Sequence, residues 1–188
     1  MRVYRKLLPT ETRLFQDHLL RLSPDDRASR FAGSLSDIAV VAYARRFDWL
    51  TGALLGCFVD GALRGAAEVR WLDPGIGWRA ELAVTVEEKW QDEQIGTELL
   101  RRSIALARNR GLKSLYMVCL TDNRRMQVIA RKFEGELVFA ESQVEADIVL
   151  PFPTQLTLLA EAMGDSVAFA TAWWEQIAAA KKTDTRPT

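Results

Sequence analysis

Residues 79–98 read RAELAVTVEEKWQDEQIGTE. The opening RAELAVTV predicts a strand over 79–86. After a turn, Ile95, Leu99, Leu100, Ile104 and Leu106 recur on one side of a helix over 95–110, which Gly111 ends. A strand that turns directly into a helix presents the first amides of that helix outward, without intrahelical partners. With the helix dipole those amides form an anion site, well suited to a pyrophosphate. Close approach of a phosphate also calls for small residues in the turn.

The elements on either side extend this unit. Upstream, 53–59 (ALLGCFV) is an apolar run, Asp60-Gly61 is a hairpin signal, and 62–71 (ALRGAAEVRW) is the partner strand. Asp73-Pro74-Gly75 punctuates. Further back, 2–8 predicts a short strand and 11–22 a helix carrying Leu14, Phe15, Leu19 and Leu22. Ser23-Pro24-Asp25-Asp26 starts another helix, and 34–47 a third, capped by Ser34 or Ser36. Downstream, 114–120 (SLYMVCL) is apolar enough for a central strand. Residues 123–132 predict a short basic helix and 136–150 two strands. Residues 155–182 predict one or two helices with a break near Gly164, and Trp173, Trp174, Phe169 and Ile177 there are packing residues. The order gives an α/β (α+β) class: a central mixed sheet flanked by helices, with a C-terminal helical extension.

The 188 residues suit one domain. We divide them into a main domain over 1–152, the extension over 153–182 and a tail over 183–188. Apolar residues make up 48%, normal for a globular chain. Lys and Arg total 25, as do Asp and Glu, so no basic excess points to nucleic acid, and net charge pulls toward neither acidic nor basic substrates. No apolar run is long enough to cross a membrane, and MRVYRKLLPTETR lacks the apolar core of a signal peptide. Cys57 and Cys119 make neither a disulfide framework nor a metal cluster, and both read as small buried hydrophobes. A cytoplasmic setting and a metal-free site are expected. His18, the only histidine, has no partner in sequence and reads as a surface or capping residue.

AELAVTVEEKWQDEQIGTELL resembles the acetyl-CoA motif of the GNAT N-acetyltransferase superfamily, in which a strand is followed by Gln/Arg-x-x-Gly-x-Gly/Ala at the start of a long helix. Here the segment is Gln91-Asp92-Glu93-Gln94-Ile95-Gly96. Asp122-Asn123-Arg124-Arg125-Met126 and Ala130-Arg131-Lys132-Phe133 resemble the family's next helix. Arg21 to Asp26 with Arg30-Phe31 resemble the acetyltransferase domains of bacterial protein-lysine acetyltransferases. The resemblance covers about 3–150 and implies a GNAT-like fold. It implies transfer of an acetyl group from acetyl-CoA, as co-substrate, to a primary amine by direct attack. The acceptor would be a small-molecule amine or a protein lysine or N-terminal amine.

The resemblance also assigns roles. The backbone of Val84, Thr85 and Val86 would pair with pantetheine as an extra strand. Amides of Asp92, Glu93, Gln94, Ile95, Gly96 and Thr97 would hold the pyrophosphate. Asn123 would lie near the pantetheine or the thiol. Glu81 stands where many members place a carboxylate that deprotonates the amine through water, a role suited to a buried carboxylate with a raised pKa. The amide of Val84 would polarise the thioester carbonyl.

Other readings stand beside these. Glu81 could be an edge-strand carboxylate paired with Arg79 or Arg70, with Glu68 as the alternative base. Asn123 is a good N-cap whatever the function, and Gly96 could serve packing alone. The chain also departs from the motif. Gln94 stands where the first glycine belongs, and Glu87, Glu88, Asp92, Glu93 and Glu98 face only Lys89. The basic residues of 101–132 (Arg101, Arg102, Arg108, Arg110, Lys113, Arg124, Arg125, Arg131 and Lys132) could compensate by meeting the 3′-phosphate of CoA. Ala130 occupies the register of the family's proton-donating Tyr, with Tyr116 a substitute one strand away. These departures motivate the rival reading, a degenerate GNAT fold acting as a regulatory or interaction module with weak or no CoA binding. The apolar C-terminal helices motivate a homodimer.

Overall fold

Seven strands build one sheet: β1 (Arg2–Lys6), β2 (Gly52–Val59), β3 (Ala62–Trp71), β4 (Arg79–Val86), β5 (Ser114–Leu120), β6 (Glu136–Phe139) and β7 (Gln143–Val149). Their order is β1-β2-β3-β4-β5-β7-β6. Every neighbouring pair is antiparallel except β4 and β5, which are parallel. The helices are α1 (Thr12–Leu20), α2 (Pro24–Phe31), α3 (Asp37–Arg45), α4 (Ile95–Asn109) and α5 (Arg124–Lys132). These positions come from a computed structural model, which describes residues 1–72, 78–159 and 161–164.

Local chemistry explains the boundaries. Ser23 Oγ accepts from the Asp26 amide at 3.1 Å and starts α2. Of the two caps open for the third helix, Ser36 serves: its Oγ accepts from the Ala39 amide at 3.3 Å. Asp60 and Gly61 both adopt positive φ, 50° and 79°, which suits the tight turn joining β2 to β3.

Each face of the sheet has its own core. On one, α4 and α5 bury Leu99, Leu100, Leu106 and Ala130 against Leu55, Val69, Leu82, Leu115 and Ile148. On the other, α1 and α3 bury Phe15, Leu19, Val40 and Ala44 against Leu54, Phe58 and Leu63. His18 belongs to this second side. It is fully buried, which overturns its reading as a surface or capping residue. The cause is helical spacing, since 15, 18, 19 and 22 share one face of the α1 segment.

Residues 155–159 and 161–164 are helical. They dock by polar groups: Glu161 pairs with Lys6 at 2.5 Å and accepts from Asn109 at 2.7 Å. Leu156, Leu159 and Met163 are exposed. Phe169, Trp173, Trp174, Ile177 and the tail over 183–188 lie outside the described residues. No helix among the described residues is long and apolar enough to cross a membrane.

Candidate functional site

β4 and β5 pair only at Arg79–Ser114, Ala80–Leu115 and Glu81–Tyr116. Both strands continue, to Val86 and Leu120, but no longer pair. The split between them is a cleft of about 670 Å³, with Ala83, Val84 and Val86 on one wall and Val118 and Cys119 on the other. β3 pairs with β4 along its opposite edge. The edge of β4 beyond Glu81 therefore has no strand beside it among the described residues, and its backbone groups can bond an extended ligand.

The mouth of the cleft is formed by the turn before α4 and the start of α5. The Gln91 amide nitrogen donates to Asp26 Oδ1 at 2.9 Å and to the Val86 carbonyl at 3.1 Å. Arg125 donates to Gln91 Oε1, and to Asp92 at 3.2 Å. Asp92 and Gln94 adopt φ of 61° and 62°, so the loop takes a glycine-like backbone without glycine. Gln94 is the N-cap of α4, and its side chain makes no capping bond.

The acidic turn is not left to Lys89. Glu93 pairs with Arg2, Asp92 with Arg125, and Glu98 with Arg101 and Arg102. Glu87 is buried and held by Arg21 and Arg64, each at 2.8 Å. The expected repulsion around a bound phosphate is corrected accordingly: most of these carboxylates already face a guanidinium brought in from elsewhere in the chain.

The same pairing corrects the basic block. Arg101 and Arg102 are engaged by Glu98, and Arg110 by Glu161 at 3.3 Å. Arg108 and Arg110 also lie at the far end of α4. Of this block only Arg124 and Arg125 line the cleft, where Arg30 joins them.

Beneath β4 lies a buried network that spacing along the sequence did not suggest. His18 Nδ1 lies 3.2 Å from Glu87 Oε1, and Nε2 lies 2.9 Å from Thr85 Oγ1. With Nδ1 donating to the carboxylate, Nε2 accepts from the hydroxyl. Burial pushes the His18 pKa below its usual value against the pull of Glu87. Burial also opposes ionisation of Glu87, but hydrogen bonds from His18, Arg64 and Arg21 outweigh it and hold its carboxyl down at about 2. The signal in the sequence was the position of His18 within the apolar stripe of α1.

The remaining candidates separate by position. Glu81 is exposed, not buried as expected, and sits at the apex where β4 and β5 part. Its suggested partners are engaged elsewhere: Arg79 donates to Asp147 at 2.7 Å and Arg70 to Glu68 at 2.5 Å. The ion-paired reading of Glu81 is thereby overturned. Glu68 is buried, accepting from Tyr43 at 2.5 Å, with Arg30 3.3 Å away. Thr85 is among the residues lining the cleft, while its hydroxyl is held by His18. Asn123 lines the cleft, and its Oδ1 caps α5 by accepting from the Met126 amide at 3.2 Å.

Asp92, Glu93, Gln94 and Thr97 border a second hollow, of about 500 Å³, beside Arg2 and Tyr4. Ile95 is buried in the core. A Cβ on Gly96 would lie 3.3 Å from Ile129, so this glycine lets α4 press against α5. Ala130 is buried, and Tyr116 stands beside Glu81 in the strand pairing. Cys119 is half-buried on the cleft wall rather than in the core, and burial pushes its thiol pKa up. Among the described residues, no cluster of His, Cys, Asp and Glu could hold a metal.

The acetyltransferase (GNAT) family model matches residues 19–135. No curated protein matches at the sequence level. Among solved structures, the GNAT domain of PAT from S. lividans is similar at 18% identity and a TM-score of 0.67, over 78% of this chain and 89% of that one. The ribosomal-protein-S18-alanine N-acetyltransferase of Escherichia coli aligns at 13% identity and a TM-score of 0.64, over 82% and 97%. A GNAT-family acetyltransferase from Streptococcus pneumoniae aligns at 14% and 0.63, over 80% and 100%. These likenesses establish a shared fold.

Proposed function

Because the chain belongs to the acetyltransferase (GNAT) family, we propose that it is an N-acetyltransferase that moves the acetyl group of acetyl-CoA to a primary amine by direct attack. The observation that carries this reading is the split between β4 and β5. It leaves a strand edge open along Leu82–Val86, directly beside the turn that begins α4.

The residues present suit the co-substrate. The amides of 95–97, in the first turn of α4, have no intrahelical partners and favour an anion. The carboxylates of the preceding turn are largely matched by guanidinium groups, which removes the main motive for a CoA-blind module. When bound, acetyl-CoA supplies a thioester whose carbonyl carbon is the electrophile. Val84 and Val86 offer backbone groups to an extended pantetheine, and the Val84 amide would donate to the carbonyl oxygen. Arg124, which lines the cleft and pairs with no carboxylate among the described residues, offers a cation to a phosphate. Glu81 lies at the closed end of the cleft, where the amine must arrive. Its carboxylate would take one proton of the incoming ammonium through water and return it to solvent; as the C–N bond forms the C–S bond breaks, and the second proton shed by nitrogen neutralises the departing CoA thiolate.

Calorimetric titration with acetyl-CoA, and with dephospho-CoA alongside, tests the reading. Saturable binding that weakens without the 3′-phosphate is expected, and absence of binding at millimolar ligand overturns it. Glu81→Gln should leave acetyl-CoA binding intact and lower kcat by about 10²–10⁴-fold, flattening the acid side of the pH profile. An unchanged profile removes Glu81 from the chemistry.

A further inference from the structure

Among the described residues, the half of the sheet beyond β4 is covered on one face only. α4 and α5 pack under β5, β7 and β6 through Leu115, Met117, Ala146, Ile148 and Leu137. On the opposite face Val118, Val138 and Val149 are 41%, 58% and 80% exposed. Strand register shows what else this face carries. Glu81 lies opposite Tyr116, Tyr116 opposite Asp147, and Asp147 opposite Glu136. In the next row, Val118 lies opposite Glu145, and Glu145 opposite Val138. Residues directly opposite on paired strands share a face. One row therefore runs across four strands from Glu81, and strand spacing of ~4.8 Å makes it about 14 Å long.

The charge on this face is one-sided. Among the described residues, Glu81, Glu136, Glu145 and Asp147 are answered by Arg79, which donates to Asp147 and lies over the Tyr116 ring at 5.1 Å. On the β3 side of Glu81 the row ends at Arg70, already engaged by Glu68. The face is thus acidic and partly apolar, and it is continuous with the apex of the cleft at Glu81. The balanced charge of the whole chain conceals it.

We propose that the uncovered face of β5, β7 and β6 is a docking surface for a basic, lysine-bearing peptide, whose side-chain amine it delivers to Glu81. The proposal rests on the amine-transfer reading above and narrows its acceptor. Charge complementarity selects a cationic partner. Breadth selects a peptide over a small polyamine: the face spans three strands and exposes valines that a polyamine would not cover.

Binding is measured directly, so that the result does not depend on turnover. A fluorescein-labelled peptide with one lysine flanked by arginines is titrated with the protein and followed by anisotropy. Saturable binding is expected, weakened about ten-fold by the double reversal Glu136→Lys/Glu145→Lys and by raised salt. Equal binding by the double variant, or by an acidic peptide of the same length, overturns the proposal. So does displacement by spermine as effective, charge for charge, as displacement by unlabelled peptide. In the transfer assay the double variant should raise KM for the basic peptide about ten-fold and leave kcat for a small alkylamine unchanged. Alkylamine turnover with no preference for basic peptides defeats the docking surface and leaves the transfer reading intact. Peptide binding without turnover of any amine does the reverse.

Discussion

Gln94 shows how a single residue departs from its motif while keeping the motif's backbone. Its φ of 62° lies in the left-handed region, where a side chain costs about 1–2 kcal/mol. Glycine would remove that cost but lose about 0.5–1 kcal/mol through greater freedom when unfolded. Gln94→Gly should therefore stabilise the fold by about 0.5 kcal/mol, whereas Gln94→Val, β-branched at the same φ, should destabilise it by more than 1 kcal/mol. Urea midpoints of the two variants check this, and loss of stability in the glycine variant would contradict it. The motif itself was legible in the sequence; the glycine-like backbone of Gln94 was not, because φ is set by the turn closing onto α4.

At the scale of elements, His18 and Glu87 fasten α1 to the end of β4. Both have folded pKa values below their unfolded ones, so between the two values the unfolded chain binds more protons. Stability should therefore be complete above pH about 6.5, decline as His18 becomes protonated in the unfolded chain, and decline again between about 4.5 and about 2 as Glu87 is lost. His18→Gln should flatten the first decline and leave the second. Urea denaturation at a series of pH values measures both. An unaltered slope below pH 6.5 in the variant would place the titrating group elsewhere. Sequence reading placed α1 correctly and misplaced its histidine, because the partners of His18 stand 67 and 69 residues away.

At the scale of the molecule, two cores share one sheet. Alternate residues of β2 serve both: Leu55 and Cys57 on the α4 side, Leu54 and Phe58 on the α1 side. Neither core can open without exposing the strand that carries the other. Leu99→Ala and Leu54→Ala, in opposite cores, should each cost about 2–5 kcal/mol and each shift a single cooperative transition. Circular dichroism and tryptophan fluorescence should give coincident midpoints, and separated midpoints would show two independent units.

Periodicity and turn chemistry in the sequence determined the elements and their order. Ser23, Ser36, Asp60-Gly61 and Gly111 mark boundaries that local backbone physics imposes. The strand-turn-helix over 79–98 determined the family resemblance, because a helix start beside a strand is a local arrangement. Side-chain partners are not local. Only the folded chain brought Arg2 to Glu93 and Arg125 to Asp92, and engaged Arg70 and Arg79 away from Glu81. Only strand register gathered Glu81, Glu136, Glu145 and Asp147 onto one face of a chain with balanced charge. Electrostatics acts through space over a few ångströms, and sheet pairing decides which distant residues come that close.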